Sequence, residues 1–239
     1  MRTHQLTISR PMTSHRGIGF LLSAVLLAGL GAPANAQYAG VTTYLGSASS
    51  NAPTKPLDLE ELVTDMKKGG YVIVLRHGAT NADQADTDPL HLDNIASQRL
   101  LSDKGRDVAK RVGDSFRAMG IPLGNVYSSE FNRATETAKL VSGKSPETTA
   151  DLTEGGLVVS PNENARRAKV LKALATVMPE AGRNTLIVTH KPNILDAFGE
   201  EWFASKEGEA SVFRPDGSNN LVLVARVQAV DWIRAAGGQ

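Results

Sequence analysis

Two histidines and two arginines in this sequence occupy positions from which they could bind and attack a phosphate-like oxyanion. His77 and His190 each directly follow a short apolar run, and Arg76 stands beside His77. Arg133 stands at the start of a helical pattern, just after a third predicted strand. A neutral imidazole is a competent nucleophile near pH 7, and guanidinium forks match phosphate oxygens. A lone histidine at a strand end is more often a structural polar residue, so this hypothesis requires all four side chains to converge.

Hydrophobic patterning predicts the elements that must position these side chains. Continuous apolar, β-branched runs predict buried strands at Tyr71–Leu75 and Thr185–Val188, and a shorter strand is predicted at Asn125–Ser128. Two more strand signals flank the turn Pro215-Asp216-Gly217, namely Ser211–Phe213 and Leu221–Val227. Apolar residues at helical spacing predict helices at Leu59–Met66, from the Ser102 cap to Gly120, at Ala134–Val141 and at Ala165–Val177.

Strands that alternate with helices are typical of an α/β domain. The sequence therefore predicts a three-layer αβα sandwich with a mostly parallel central sheet. Ligands of such sheets bind beyond the carboxyl ends of the strands, where His77 and His190 would both lie.

The composition excludes several kinds of site and partner. The chain has 239 residues, of which 41% are hydrophobic, as is ordinary for a globular protein. It carries 26 Lys and Arg against 25 Asp and Glu, so no basic surface for nucleic acid is indicated. The absence of cysteine excludes disulfides, a thiol nucleophile and Cys-ligated metal sites.

Residues 1–36 have the pattern of a secretory signal peptide. Three arginines precede the apolar stretch Ile18–Leu30, and Ala34-Asn35-Ala36 supplies a small-x-small cleavage pattern. The stretch is shorter than the roughly 20 residues that span a bilayer. We expect cleavage after Ala36, with no stable membrane insertion afterwards and a periplasmic or secreted mature protein; an uncleaved anchor is the alternative. We expect residues 37–56 to form a flexible linker and residues 57–239 to form one domain.

Three segments resemble the motifs of the histidine phosphatase superfamily, which includes the phosphoglycerate mutases and acid phosphatases. Leu75-Arg76-His77-Gly78-Ala79-Thr80 resembles its Arg-His-Gly signature, residues 128–138 resemble its second motif, and Val188-Thr189-His190 resembles its third. The motifs occur in the expected order on the expected elements, and the resemblance extends from about Leu57 to the C-terminus. It implies a phosphoglycerate mutase-like fold.

The resemblance also implies roles for single residues. His77 would be the nucleophile that becomes phosphorylated. Arg76, Arg133 and His190 would bind and neutralise the phosphoryl oxygens. Because arginines would supply the positive charge, no metal and no other cofactor is expected.

Gly78 and Asn81 are the further substrate-binding residues that the resemblance implies. Gly78 has a second expected role, because one ring nitrogen of His77 must be held by an acceptor while the other attacks phosphorus. The Gly78 carbonyl is the candidate acceptor, and the absence of a side chain would allow a tight turn and close approach of substrate.

A cluster of acidic residues follows the first motif without the spacing of a metal site. It lacks the pattern, and the glycine, that a calcium loop requires. We expect a solvated loop over the rim of the pocket, with the residues Asp83, Asp86, Asp88, His91 and Asp93.

The general acid that would protonate the leaving oxygen is left open among three carboxylates. In one branch of the family an acid directly follows the second histidine, whereas Lys191 follows His190 here. In the other branch a glutamate follows the second motif, which makes Glu154 the first choice. Glu209 is the second candidate and Asp86 the third, and Lys191 either contacts substrate or points to solvent.

The expected function is that of an exported phosphatase that hydrolyses phosphomonoesters through a phosphohistidine on His77. Its partner would be a small phosphoester or a phosphoprotein, with no indication of the oligomeric state. One alternative is a mutase-like isomerase, which the leader disfavours because such substrates are cytoplasmic. The other is a non-catalytic periplasmic module that binds phosphate ligands in the same fold.

Overall fold

The computed structural model describes residues 58–156 and 158–238. Its helices are α1 (Leu59–Met66), α2 (Asp103–Ala118), α3 (Asn132–Ser142), α4 (Pro161–Thr176), α5 (Lys191–Phe198) and α6 (Ala229–Ala235). Its strands are β1 (Val72–Arg76), β2 (Leu123–Ser128), β3 (Glu147–Thr148), β4 (Asn184–Thr189), β5 (Ala210–Pro215) and β6 (Leu221–Val227).

The expected signal peptide, the expected linker and Leu57 lie outside the described residues, so cleavage and the domain boundary stay predictions. Within the described residues, no helix combines the length and the apolar character needed to cross a membrane.

The six strands form one sheet in the order β3-β2-β4-β1-β5-β6. β1 and β4, β4 and β2, and β2 and β3 are parallel pairs. β5 runs antiparallel to both of its neighbours. The predicted α/β class with a mostly parallel sheet is confirmed.

Helices cover both faces of the sheet because the central strands are apolar on both sides. On one face Ile73 and Leu75 of β1 lie in a core that includes Trp232 of α6. On the other face Val72 and Val74 lie in a second core with residues of α4 and α5. The first core also receives side chains from α1, α2 and α3. The result is the expected arrangement of three layers.

The predicted elements are found, α1 and β6 with the predicted boundaries and the others with shifted ones, and three of the helices and strands were not predicted. β3, α5 and α6 had no strong pattern in the sequence. α4 begins at Pro161, before the expected Ala165, because the Ser160 hydroxyl accepts a hydrogen bond from the Glu163 N–H at 3.2 Å. Serine as the cap and proline in the first turn are common helix starts.

Candidate active site

The carboxyl ends of three neighbouring parallel strands bring the candidate residues together. β1 and β4 pair so that Arg76 lies opposite Thr189, which places His77 and His190 side by side just beyond the strands. β2 lies on the other side of β4, and Ser129 follows its last residue. The ring centroids of the two histidines are 5.2 Å apart.

His77 is held in one orientation by its own backbone environment. Its side chain is buried, and Nδ1 lies 2.8 Å from the Gly78 carbonyl oxygen. A carbonyl can only accept, so Nδ1 donates and Nε2 keeps its lone pair. The backbone N–H of His77 donates to the Thr189 carbonyl at 3.1 Å, which ties His77 to the neighbouring strand. The acceptor expected from the sequence is therefore the one observed.

Gly78 lies in close packing, and its φ is not in the left-handed region. A Cβ there would approach the Gly105 carbonyl oxygen and the Leu101 Cδ2 to 3.3 Å each, where α2 begins. Its N–H donates to the Thr137 hydroxyl at 3.0 Å. These contacts place the His77 segment against the N-terminus of α2 and against α3.

Both histidines are held in the neutral form. Burial lowers the pKa of His77 well below its usual 6.5, and the charges of His190, Arg133 and Arg76 lower it further, whereas the hydrogen bond to Gly78 opposes the shift. Burial also lowers the pKa of His190, as do the nearby charges of Arg133, Arg99 and Arg76. A neutral His77 has a free lone pair at neutral pH, as a nucleophile requires.

His190 lies between a serine hydroxyl and a carboxylate. Its Nε2 is 2.7 Å from the Ser129 Oγ. Its Nδ1 is 3.4 Å from Glu154 Oε1 and makes no hydrogen bond. The Phe131 ring and the imidazole pack nearly perpendicular to each other, with centroids 5.5 Å apart.

Arg133 is fully buried and pairs with two carboxylates. Its Nη1 donates to Asp86 Oδ1 at 2.9 Å, and its Nη2 donates to Glu154 Oε1. Its guanidinium carbon lies 4.0 Å from the centroid of the Phe131 ring. The structure thus places two of the three candidate acids directly on the arginine that is expected to bind phosphate.

Arg76 is oriented by a loop that precedes β5. Its Nη1 donates to the Ser205 carbonyl at 2.7 Å, and its Nη2 lies 3.7 Å from Glu207 Oε1. Glu207 in turn accepts a hydrogen bond from the Thr80 hydroxyl at 2.9 Å. The backbone N–H of Gly208 donates to the carbonyls of both Arg76 and His77.

Unpartnered nitrogens mark this cluster as a binding site. Of the described residues, five bury a side-chain polar atom without a hydrogen-bond partner. Three of these atoms belong to the cluster: Arg76 Nε, Arg133 Nε and His190 Nδ1. Buried polar atoms are almost always satisfied, so three exceptions in one cluster with His77 favour a ligand-binding site there. Arginine N–H groups can only donate, so that ligand must offer acceptor oxygens.

Three other candidates from the sequence have their side chains engaged elsewhere. The buried carboxylate of Glu209 accepts from Arg226 and from Gln228 Nε2 at 2.5 Å. The amide of Asn81 donates to Gln84 Oε1 at 3.3 Å, and Lys191 Nζ lies 4.4 Å from the centroid of the Phe203 ring. Glu209 is therefore a poor general acid in this structure, and the role of Asn81 in substrate binding stays a prediction.

Several residues of the site were missed in the sequence. Ser129 lies within the second motif, next to the expected strand end, and could have been found there. Ser205 and Glu207 had no signal, since they reach Arg76 from a loop more than 100 residues away along the chain. Arg99 contributes its charge to the surroundings of both His190 and Arg76.

The acidic loop that contains Asp83, Asp86, Asp88, His91 and Asp93 reaches the candidate site through Asp86, which contacts Arg133. Asp86 Oδ1 also accepts the backbone N–H of Arg99 at 2.9 Å. His91 and Asp88 form an exposed pair at 2.8 Å. Over the described ranges, no group of three or more His, Asp or Glu is arranged to hold a metal ion.

Comparisons with known proteins point to one family for the central part of the chain. Residues 72–159 match the model of the histidine phosphatase superfamily (branch 1). That range contains His77, Arg133 and Glu154 and ends before His190. A segment of 75 residues is 36% identical to the mitochondrial serine/threonine-protein phosphatase Pgam5 of Drosophila grimshawi. It covers 31% of this chain and 23% of that protein, so the chain spans about a quarter of the length of this curated relative.

Similar solved structures include the protein histidine phosphatase SixA, complexed with tungstate. It is 21% identical, with a TM-score of 0.48, over 67% of this chain and 97% of that chain. YhfR of Bacillus stearothermophilus is 17% identical, with a TM-score of 0.48, over 65% of this chain and 95% of that chain.

Proposed function

We propose that this chain is a member of the histidine phosphatase superfamily that hydrolyses phosphomonoesters through a phosphohistidine on His77. The observation that carries the proposal is the group of unpartnered nitrogens on Arg76, Arg133 and His190 around a neutral, oriented imidazole. A phosphoryl group supplies the acceptor oxygens that the two arginine nitrogens lack. The match of residues 72–159 to the family model supports the same activity.

In the first step the Nε2 lone pair of His77 attacks phosphorus. The N–P bond forms while the P–O bond to the leaving alcohol breaks, and the two arginines stabilise charge on the phosphoryl oxygens. In the second step water attacks phosphorus, and the N–P bond breaks to release phosphate and neutral imidazole. Covalent catalysis thereby divides the hydrolysis into two easier displacements.

Glu154 is the proposed general acid and base. It lies against Arg133 and His190, at the edge of the phosphate-binding cluster. In the first step it gives a proton to the leaving oxygen, and in the second it accepts a proton from the attacking water. Asp86 contacts the same arginine and is the alternative acid.

We also propose that the protein is exported and acts on a phosphoester or phosphoprotein outside the cytoplasm. The basic start, the short apolar stretch and Ala34-Asn35-Ala36 support this. Sequencing the N-terminus of protein from the cell envelope should return Gln37 as the first residue. Recovery of Met1, or of the protein in the cytosol, would contradict export.

The activity is tested by trapping the phosphoenzyme. The full chain is incubated with radiolabelled phosphoramidate and quenched, and we expect a protein-bound label that is stable to base and labile to acid. His77→Ala should abolish the label, whereas His91→Ala, which alters an exposed histidine of the rim, should retain it. Tight vanadate binding without label or turnover would instead identify a non-catalytic binding module.

A further inference from the structure

A cavity of about 310 Å³ borders the proposed phosphate site. It touches that site through Glu154 and Asp86, the two carboxylates that hold Arg133. The residues that line it are Asp86, Pro89, Phe131, Glu154, Gly155, Gly156 and Val158. The volume can hold an organic group of the size of one or two aromatic rings.

The walls of this cavity are apolar and acidic, and none of the described residues that line it is a lysine or arginine. Pro89, Phe131 and Val158 contribute apolar side chains. The Phe131 ring is fixed between the Arg133 guanidinium and the His190 imidazole. Arg99, whose charge acts on His190, is not among the lining residues.

The proposed position of the general acid determines which part of the substrate enters the cavity. The leaving oxygen must lie within hydrogen-bond reach of Glu154, because that carboxyl protonates it. The organic group attached to this oxygen then extends away from phosphorus, past Glu154. The cavity that Glu154 lines is the space on that side.

The apolar and acidic side chains that line the cavity determine which leaving groups it can bind. An apolar group gains from burial against Pro89, Phe131 and Val158. A second carboxylate or phosphate on the substrate would be desolvated beside the Asp86 carboxylate, with no cation among the described lining residues to pair with it, which is unfavourable.

We propose, on the basis of the phosphatase function above, that this cavity is the leaving-group subsite and that it takes uncharged, apolar alcohols or phenols. The substrate class is therefore an aryl or bulky alkyl phosphomonoester. Polyanionic sugar acids and diphosphates are excluded by the same walls.

The test compares two substrates that differ in charge at the leaving group, phenyl phosphate and 4-carboxyphenyl phosphate. Their phenols are similar leaving groups, so chemistry alone favours neither strongly. We expect the full chain to show kcat/KM about 10-fold or more lower for the carboxylated ester, as about 1.4 kcal/mol of charge repulsion would give. Equal kcat/KM values would overturn the proposal.

Val158→Lys tests the cavity itself, because it places a cation in the lining. This variant should reverse or abolish the preference by improving 4-carboxyphenyl phosphate and weakening phenyl phosphate. Ile95→Lys is the matched control, since Ile95 is 48% exposed and Val158 49%, and Ile95 does not line the cavity. The same shift in both variants, or none in Val158→Lys, would refute the subsite.

Binding to His77→Ala separates this inference from the proposed function. The affinities of both esters for this variant are measured by calorimetry, where no turnover is needed. A preference for phenyl phosphate there, with no phosphoenzyme in the wild type, would keep the subsite and refute the phosphatase. A phosphoenzyme from phosphoramidate with no preference between the esters would do the reverse.

Discussion

Replacing Glu154 by glutamine should tighten the binding of phosphate analogues while it slows catalysis. Glu154 accepts a hydrogen bond from Arg133 Nη2, so an incoming oxyanion must compete with this carboxylate for the guanidinium. A charge-assisted hydrogen bond contributes about 1.5–3 kcal/mol, and the neutral amide oxygen of glutamine provides roughly half of this. The carboxylate also repels a dianion bound next to it.

In Glu154→Gln, the two effects together should make the binding free energy of the anion more favourable by about 1–2 kcal/mol. This corresponds to vanadate binding about 5- to 30-fold more tightly. The loss of the proton donor acts on kcat. Alkyl phosphates, whose leaving oxygen is basic, should slow by roughly 10²- to 10⁴-fold, whereas 4-nitrophenyl phosphate should be nearly unaffected. The assays are vanadate inhibition constants and kcat for one alkyl and one aryl ester.

Asp86→Asn is the matched control, because Asp86 holds the other nitrogen of Arg133 at 2.9 Å. It should tighten vanadate binding similarly and leave the ratio of alkyl to aryl rates unchanged. A leaving-group-dependent loss in Asp86→Asn would transfer the acid role to Asp86. Weaker vanadate binding by Glu154→Gln, or equal slowing of both esters, would refute the reasoning.

Three further results are expected. Arg133→Ala should weaken vanadate binding by on the order of 2–5 kcal/mol, measured by competitive inhibition, because it removes a buried cation and leaves two carboxylates facing the anion; unchanged affinity would place the anion elsewhere. Unfolded histidines titrate near pH 6.5 whereas folded His77 and His190 titrate well below it, so the unfolded chain binds more protons as the pH falls below 6.5. The free energy of unfolding in urea should therefore decrease by up to about 1.4 kcal/mol per pH unit for each histidine in that range, and a flat profile between pH 6.5 and 5 would contradict the assignment of neutral rings. Glu209→Ala should destabilise the fold by about 1–3 kcal/mol in the same assay, since Gln228 Nε2 and the Lys206 N–H lose their acceptor, whereas the exposed Arg226 can be solvated; a stable variant with a selective loss of alkyl phosphatase activity would restore Glu209 as the acid.

Local patterning determined most of the fold. The runs at Tyr71–Leu75 and Thr185–Val188 are β-branched and apolar over a whole strand length, and only strands buried on both faces need such residues. β1 and β4 are those strands. α5 was missed because Lys191-Pro192 was interpreted only as a departure from the family pattern, although proline in the first turn is an ordinary helix start. β3 is two residues long and too short to show any period.

The sequence alone also determined the chemistry at the strand ends. Arg76, His77 and His190 stand next to strands whose direction and adjacency follow from the α/β pattern, so their convergence could be inferred before any coordinates were known. The acceptor for His77 could be inferred for a similar reason, because it is the next residue in the chain.

Only the tertiary structure decided which charges surround those residues. Arg133 meets Asp86 and Glu154, which are 47 and 21 residues away along the chain, and Arg76 meets Ser205 at a separation of 129 residues. The sequence ranked Glu154 before Glu209 only through the family resemblance, because each residue by itself is a carboxylate that stands next to a glycine. Their difference comes from what the packed loops place beside them: Arg133 and His190 for one, Arg226 and Gln228 for the other. Periodicity reports which face of an element is buried, whereas a pairing between distant loops depends on how the whole chain closes around the sheet.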